Sequence, residues 1–599
     1  MKQYTEIISA DFETTVNPVF TQVWLAGCYN IYTQDFKMWK SQDEMWKYIS
    51  QKNGRLLYFH NLRFDGAFIL WHLTQNLGYT WTADKPGKGQ FSTVISDMRQ
   101  YYRFEIHWKN GNRTEIRDSL KVIRMPLRDI PKAFGLPQEK GRIEYDSYTT
   151  PPQEINDLEI DYLYKDCKIV GDALKILWDH GNNRLSSAAN ALAAYKTSIG
   201  MANYDAWFPK LPLTIDRFVR KAYKGGYVYV PEEYRGKWCG KGFVVDVNSL
   251  YPSRCACVED TPLPYGFPEA FKGKPTKNML YVVQIRCSFE LKHGYLPTIQ
   301  IKNNARFSET EYLRSSVVDG LQTRVELFLT NIDLQIMFDH YDIYDIEYVG
   351  GYYFQSRKDM WIKHVSENMQ MKEEATLEGN KGKRQIAKNN MNEPTGKFAT
   401  RPEMLSMRPD QTAEKLSHKL YDELNPDGHK LTQEEQRKYD EKEQNRLVYT
   451  PMSVFITAWG RNKMIRTAQR LYEEGIFRYC DTDSAHCEGK MPLWLWKQCD
   501  HTKLGWWDVE GTFCKAKFLR AKTYMEFTKY VPDPEKEMVL AKKCDYTYKW
   551  NIKCAGMPHS IHDQVTPQNF VVGAHFPGKL QQKSVPGGAI LVDVGFTIK

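Results

Sequence analysis

A short apolar run at residues 5–10 ends in Asp11, and RLLYF at 55–59 is a second such run; both predict strands. Helical spacing follows from Phe64 to Leu77. Across 154–179, Leu158, Tyr162, Asp166 and Ile169 recur at three- or four-residue intervals. Strands alternating with helices predict an N-terminal α/β layer of about 185 residues. After Lys241, GFVVDV predicts a strand that runs into NSLYP, with Pro252 expected to stop it. The stretch to about 355 holds further strand-like runs such as MLYVVQIRCSFEL. Residues 357–393 predict basic helix, broken at Pro394 and Gly396. Residues 402–447 are polar with few core-forming positions, and on composition alone they read as a solvated surface insertion. Apolar character returns at 448–460, and FRYCDTDSAHCEG at 477–489 predicts strand, turn, strand.

A chain of 599 residues suggests about four domains. Hydrophobic residues are 42% and charged residues 26%, a globular balance that argues against wholesale disorder. The net charge of +9 and the 37 Tyr suit a polyanionic partner with flat bases, although many metabolic enzymes carry as mild a charge. No apolar run approaches a membrane span, and no secretory signal is expected at the N-terminus. The 12 Cys include no C-x-x-C pair, so free thiols in a reducing cytoplasm are expected. There is no internal repeat.

Two sets of acids carry chemistry. Asp481 and Asp483 stand two apart; on a strand both leave one face, whereas in a tight hairpin only one need ligate a cation. Turns often carry aspartates, and the pair gains force from Asp246 at the end of a second apolar strand. Acid-bearing strand ends of this kind suit two Mg²⁺ ions clamping attacking and leaving oxygens. Hard cations take oxygen ligands, and no His/Cys cluster competes. Between these acids, Lys381, Arg384 and Lys388 share one helix face, usually a merely solvated pattern, but opposite metal-binding acids suited to a triphosphate. In the N-terminal layer, Asp11 and Glu13 share a strand face, Tyr162 and Asp166 a helix face, and Asp65 follows HNLRF. Four carboxylates from three separate segments would suit a second two-metal site, where water would be the nucleophile and Tyr162 would orient it.

These residues carry a resemblance. DFET, HNLRFDGAF and YLYKD resemble the three exonuclease motifs of proofreading DNA polymerases. DVNSLYP, KNNMNEPTGKF and YCDTDS resemble the three polymerase motifs of family B. More narrowly, AYKGGY, LPTIQIK, VYTPMSVFITAWGR, LRAKTY, KCAGM and PGGAILVDVGFTIK resemble the protein-primed DNA polymerases of small tailed bacteriophages, the phi-twenty-nine type, nearly end to end.

The resemblance implies a multidomain α/β and α+β fold: a ribonuclease-H-like 3′–5′ exonuclease domain (1–186) and a right-hand polymerase. The latter would comprise palm (187–256 and 448–545), fingers (357–401) and thumb (546–599). Two terminal-protein-region insertions, 257–356 and 402–447, would contact the terminal protein and enclose the DNA, which reverses the reading of 402–447 as mere surface. Asp246, Asp483 and the Val247 carbonyl would hold the polymerase metals, with Asp481 auxiliary. Ser249, Leu250, Tyr251, Lys372, Arg384, Lys388 and Thr395 would form the nucleotide site, Tyr251 excluding a 2′-hydroxyl. Asp11, Glu13, Asp65 and Asp166 would hold the exonuclease metals, assisted by Lys140 and Tyr162. Thr14, His60, Asn61, Phe64, Phe68, Ser119 and Leu120 would bind a frayed single strand. Tyr223, Gly225 and Gly226 would form a hinge, and Thr457, Arg461, Lys522 and Tyr524 would line primer and template.

It further implies two Mg²⁺ per active site, with Mn²⁺ able to substitute, and dNTP substrates. Expected partners are primer-template DNA, single-stranded DNA and a terminal protein forming a heterodimer; otherwise a monomer with no membrane association is expected, in the cytoplasm of the infected bacterial host. Two departures stand out. Relatives usually carry Tyr-Gly in the finger motif, whereas here Glu393-Pro394 precede Thr395-Gly396, which puts the aromatic wall of the nucleotide pocket in question. Arg142 stands where relatives can be acidic, so no metal role is assigned there. Rival readings are a family B polymerase using ordinary primers, against which the 402–447 insertion argues, and a non-catalytic basic DNA-binding protein, against which the intact acids argue.

Overall fold

The computed structural model describes residues 3–141, 148–301, 311–318, 320–402, 405–410, 417–422, 425, 428–530 and 547–599; Arg142 lies outside them. An eight-stranded sheet organises the N-terminal part. Its centre is Glu6–Thr14, parallel to Arg55–Phe59, which is parallel in turn to Arg113–Asp118. The first strand continues past Asp11, so Asp11 and Glu13 lie within it. Alternation sends Ile8, Ala10 and Phe12 into one core with Phe68 of helix Leu62–Trp71. Ile7 enters the opposite core with Ile169 and Leu174 of helix Asp157–Asp179. That second helix starts at a reciprocal cap between Asn156 and Glu159, which satisfies two otherwise orphaned N–H groups. Asp11 and Glu13 therefore face the helix that carries Asp166.

A second sheet runs in the order Thr547–Cys554, Thr523–Tyr530, Trp507–Arg520, Gly242–Val247, Ser484–Glu488, Phe477–Asp481, Val228–Tyr229. Helix Pro451–Glu473 packs on it through Met452, Phe455, Met464 and Leu471. A four-stranded sheet of Leu263–Lys272, Tyr341–Arg357, Leu280–Leu291 and Val325–Thr330 lies within the 257–356 region. Helices Ile362–Leu377 and Lys381–Asn392 form an antiparallel pair turned at Gly379, φ 67°.

Of the two proline expectations, the break at Pro394 agrees with a helix that ends at Asn392, whereas the stop at Pro252 does not hold. The strand ends at Val247, and Pro252 sits in the first turn of helix Leu250–Cys255. Pro394 opens the short helix Pro394–Lys397. At a helix start the missing N–H costs nothing and the fixed φ fits.

The polar 402–447 segment holds a hairpin, Leu405–Asp410 with Ser417–Asp422, and a helix, Gln433–Arg446, none of whose residues is buried. The hairpin docks on the first sheet. Tyr101 hydroxyl lies 2.7 Å from His418 Nε2, and the Trp81 and Tyr421 rings meet edge-on at 5.3 Å. Near the C-terminus, hairpin Leu580–Val585/Gly588–Asp593 reaches the same domain, where the Thr21 N–H donates to the Pro586 carbonyl at 2.9 Å. A Cβ at Gly587 would lie 1.7 Å from the Thr21 carbonyl oxygen, so only glycine permits that approach. Among the described residues no helix is long and apolar enough to cross a membrane.

Candidate active sites

Asp246 stands on the central strand of the second sheet, opposite Ser484 on one side and Asp508 on the other. Asp483 reaches it from the 481–484 turn. That turn is tight: Thr482 has φ 63°, and the Asp483 N–H donates to the Asp481 carbonyl at 2.6 Å. A β-branched residue at positive φ is strained and must be held by its surroundings. The Thr482 N–H donates to the Tyr227 carbonyl at 2.9 Å, and the Val247 N–H donates to the Asp483 carbonyl at 2.8 Å. A Cβ on Gly226 would fall 2.7 Å from the Thr482 side chain; the glycine lets the 223–229 segment brace the turn.

Asp246 and Asp483 line a cavity of about 480 Å³ with Ser249, Lys372, Arg384 and Lys388. Asp508 and Glu510 line it too; they alternate on one strand in WDVEG, a pattern that sequence reasoning passed over. Burial, and then the charge of Asp483, push the Asp246 carboxyl up to about 8. Burial and Asp481 push Asp483 up to about 6. On the facing wall, burial and the nearby Arg384 and Lys388 lower the Lys372 ammonium. Acids gather on one side and cations on the other, each set disfavoured by its own like charges.

Asp481 is not on this wall. It accepts from the Tyr479 hydroxyl at 3.0 Å and pairs with Lys522 Nζ at 3.2 Å. The hairpin thus parts the two aspartates, and the Lys522 N–H donates to the same Tyr479 hydroxyl at 3.0 Å. Tyr524 packs beside Tyr479 and Phe518. The Tyr251 ring lies against Gly460, where a Cβ would come within 3.1 Å, and Tyr223 and Arg461 are its charged or polar neighbours. Leu250 and Val247 are core residues, so Val247 could offer only its carbonyl.

Three expected contact residues turn inward. The Thr395 hydroxyl donates to the Asn392 carbonyl at 3.0 Å, and its side chain is buried; Met391, Asn392 and Glu393 line the cavity of Asp246 and Asp483 instead. Thr457 is buried and its hydroxyl bonds within its own helix, to the Ser453 and Val454 carbonyls. Arg461 is buried and ion-paired with Asp333 at 2.8 Å. All three side chains are buried.

In the first domain, Asp11, Glu13, Asp65 and Asp166 come together as expected. Burial, followed by Asp166, pushes the Asp11 carboxyl up to about 7. Burial and Asp11 raise Glu13 and Asp65 well above the carboxylate range. Lys140 Nζ lies 3.0 Å from Asp166 Oδ2, and the Tyr162 hydroxyl also bonds Asp166. Asp118, which sequence reasoning missed, is a scaffold acid: its Oδ1 accepts from the N–H groups of Asn61 and Leu120 at 3.1 and 3.0 Å.

The expected strand-binding residues divide. Asn61 is exposed, with φ 70°, and Phe64 and Leu120 are half-buried. Thr14, Ser119 and Phe68 are buried, and a Cβ on Gly588 would meet the Phe68 ring at 2.5 Å. The C-terminal hairpin therefore covers Phe68, which cannot stack on a base in this arrangement. His60 is committed on both nitrogens, to Ser119 Oγ at 3.0 Å and to the Met125 carbonyl at 3.1 Å, and burial lowers its imidazole to about 4. It braces the site as a neutral ring.

Among the described residues no three His, Cys, Asp or Glu side chains cage a single point; the acids line each site from several sides. They nevertheless fit a hard divalent cation. Both Glu13 carboxylate oxygens and Asp166 Oδ1 are buried without a hydrogen-bond partner, a cost that a cation would remove. Asp246 and Asp483 likewise repel each other in a buried site with only oxygen donors.

Comparison with known proteins gives a consistent picture. The family "DNA polymerase type B, organellar and viral" matches residues 47–151 and 104–499. The DNA polymerase of Bacillus phage Nf is 38% identical over 99% of this chain and 100% of its own length. That of Bacillus phage phi29 is 37% identical over 99% of each chain. That of Streptococcus phage Cp-1 is 30% identical over 99% of this chain and 98% of its own. The structure of phi29 DNA polymerase complexed with primer-template DNA superposes with a TM-score of 0.86 at 35% identity, covering 99% of this chain and 100% of that one. With a multidomain exonuclease, palm, fingers and thumb architecture and both acid clusters in place, the chain belongs to the type B DNA polymerases of the organellar and viral family.

Proposed function

We propose that this DNA polymerase replicates a phage genome from a protein primer, displaces the non-template strand, and proofreads with its 3′–5′ exonuclease. The observation that carries the two-site reading is the pair of separate carboxylate clusters, at Asp246/Asp483 and at Asp11/Glu13/Asp65/Asp166, each with its carboxyls pushed upward by burial and by one another. In the palm, Lys372, Arg384 and Lys388 bind and align the triphosphate, while Tyr251, pressed against Gly460, excludes a 2′-hydroxyl by occupying its space. Asp246, Asp483 and the Val247 carbonyl are the residues for two Mg²⁺, or Mn²⁺ in their place, which when bound supply charge neutralisation and activation of the primer hydroxyl. That hydroxyl attacks the α-phosphate in line and pyrophosphate leaves. Asp508 and Glu510 add to the negative field that draws the cations in.

In the exonuclease, the four acids are the corresponding cation ligands. Tyr162 orients the attacking water, and Lys140 holds Asp166 in place while offsetting its charge. Asn61, Phe64 and Leu120 receive the frayed end of the primer strand; Phe68 joins them only when the C-terminal hairpin lifts. Primer-template and single-stranded DNA are the nucleic-acid partners, as in the complexes known for phi29 DNA polymerase.

Protein priming is supported by full-length similarity to the phi29-type polymerases and by the two insertions, 257–356 and 402–447. The proposed units are exonuclease 1–186, palm 187–256 and 448–545, fingers 357–401 and thumb 546–599. The test is incubation with labelled dATP, the cognate terminal protein and its origin DNA. A covalent protein–nucleotide adduct is expected. Extension of ordinary primers with no adduct would support the alternative of a conventionally primed family B enzyme.

A further inference from the structure

Strands Ser484–Glu488 and Thr523–Tyr530 are separated in the second sheet by Gly242–Val247 and Trp507–Arg520, yet a side chain of one meets a side chain of the other. Glu526 Oε1 lies 2.7 Å from His486 Nδ1, and the two side chains are 3% and 4% exposed. Three steps of about 4.8 Å would part such strands in a flat sheet, so the contact requires strong curl. A carboxyl this deeply buried is costly without a donor, and the His486 ring supplies one. The same bond sets the plane of the imidazole. Its other nitrogen lies 3.5 Å from the hydroxyl of Ser484, the residue opposite Asp246 in the register.

Three rings enclose that imidazole: Tyr524 at 5.0 Å between centroids, Tyr479 at 5.1 Å and Phe518 at 5.6 Å. Tyr479 carries the consequence. It is fully buried, and its hydroxyl donates to Asp481 Oδ2 and accepts from the Lys522 N–H, each at 3.0 Å. Lys522 turns the chain between Trp507–Arg520 and Thr523–Tyr530 at φ 57°, a conformation that a side chain adopts only when its surroundings hold it. The Lys522 side chain is 59% exposed, and its Nζ lies 3.2 Å from Asp481 Oδ1. A path of direct contacts therefore runs from Glu526 through His486 and Tyr479 to Lys522.

Neither Glu526 nor His486 lines the cavity of Asp246 and Asp483, so neither touches a reacting atom. Packing alone does not call for them, because an apolar pair would fill the space without burying a carboxyl. What the bond adds is orientation: an imidazole pinned at Nδ1 fixes the ring beside it, and that ring fixes the turn. A primer whose terminal hydroxyl sits at Asp246 and Asp483 brings its backbone phosphates to the same wall, where Lys522 offers an exposed cation.

We propose that Glu526 and His486 are positioning residues for the primer end: they pin Tyr479, which sets the Lys522 ammonium where it meets a primer phosphate. The proposal rests on the polymerase reading above, with Lys522 as a primer contact.

The experiment follows single-nucleotide addition against primer-template concentration, alongside single-strand degradation and thermal unfolding. Glu526→Leu removes the acceptor and should raise the apparent KM for primer-template about tenfold, the worth of one charged hydrogen bond, with kcat nearly unchanged. Glu526→Gln keeps an acceptor for His486 Nδ1 and should stay within about twofold of wild type. Should Glu526→Leu melt too low to assay, Glu526→Leu combined with His486→Phe decides, since two apolar groups of similar shape restore the packing while the KM still rises. On a Lys522→Ala background, Glu526→Leu should add less than about twofold, because both act through one contact. Single-strand degradation should keep its wild-type rate throughout. A folded Glu526→Leu enzyme, or folded double variant, with the wild-type KM would overturn the proposal. Equal losses in Glu526→Gln and Glu526→Leu, or full additivity with Lys522→Ala, would do the same. Extension, degradation and melting temperature falling together would reduce the pair to a structural role. Lys522→Ala with an unchanged KM would refute Lys522 as a primer contact and the proposal with it, whereas wild-type protein that extends no primer would refute the polymerase reading itself.

Discussion

Arg461 holds Asp333 in a bidentate ion pair, Nε to Oδ1 at 3.0 Å and Nη2 to Oδ2 at 2.8 Å, while its Nη1 donates to the carbonyls of Lys224 and Gly225 at 2.8 and 2.9 Å. The two side chains are 4% and 11% exposed. One guanidinium thus ties helix Asn331–His340 to helix Pro451–Glu473 and to the segment that braces the 481–484 turn.

Replacing Arg461 with Ala should leave Asp333 as an uncompensated buried charge, at a cost of about 3–5 kcal/mol. The melting temperature should fall, and polymerisation and exonucleolysis should decline in parallel on heating. A phosphate contact behaves differently: its loss lowers the salt dependence of DNA binding by about one unit and leaves stability alone. Thermal unfolding together with a salt titration of DNA affinity separates the two.

The hairpin of the 402–447 insertion should dock on the exonuclease domain in a pH-dependent manner. Burial, with Arg99 and Arg63 nearby, lowers the His418 imidazole to about 4, below its ordinary value of about 6.5. The docked state therefore binds a proton less readily than the free hairpin. Docking is at full strength above pH about 6.5 and weakens as pH falls toward 4, by no more than about 3 kcal/mol. Spin labels at Ser96 and Ser406, which bridge the two units, should report one short distance at pH 7.5 and a broadened distribution near pH 5. His418→Asn should remove the pH dependence.

Position 395 should not accept a ring. With Thr395 buried and the Ser453 hydroxyl bonded to its carbonyl, Thr395→Tyr overfills a packed site, at about 1–3 kcal/mol. The variant should melt lower and show a raised KM for dNTPs. A lowered KM at unchanged stability would mean the space is open and lacks only its aromatic wall.

What could be read from the chain follows from how local each signal is. Asp11, Glu13 and Asp166 were legible because strand and helix periodicity fixes which face each leaves. The strand–turn–strand around Asp483 was legible because its apolar flanks and turn residues are contiguous. Its split of Asp481 from Asp483 depends on Thr482 at positive φ, held by Gly226 more than two hundred positions away, and no local pattern carries that. Arg461 and Thr457 match residue types that bind DNA, yet burial by Asp333 and by the helix itself decides their role. The cover over Phe68 comes from Gly587 and Gly588 at the far end of the chain. Asp508 and Glu510 alternate legibly, but only the sheet order places them beside Asp246.

Tyr251→Val should raise ribonucleotide incorporation by at least about tenfold relative to deoxyribonucleotides. The ring packs on Gly460, and removing it opens the space a 2′-hydroxyl needs, a steric gate worth more than about 1.4 kcal/mol. Competition assays with matched dNTP and rNTP check this. Unchanged sugar selectivity would place the gate on another residue of the cavity.

The division of labour between two carboxylate clusters is tested most directly by measuring primer extension and single-strand degradation side by side in two variants. Asp246→Ala should lose extension by at least about a thousandfold, a metal-ligand effect of several kcal/mol, and keep degradation at the wild-type rate. Asp11→Ala with Asp65→Ala should lose degradation to a similar extent and keep extension. A folded Asp246→Ala protein that has lost both activities, or a double variant that still degrades DNA, would contradict the assignment of two independent sites.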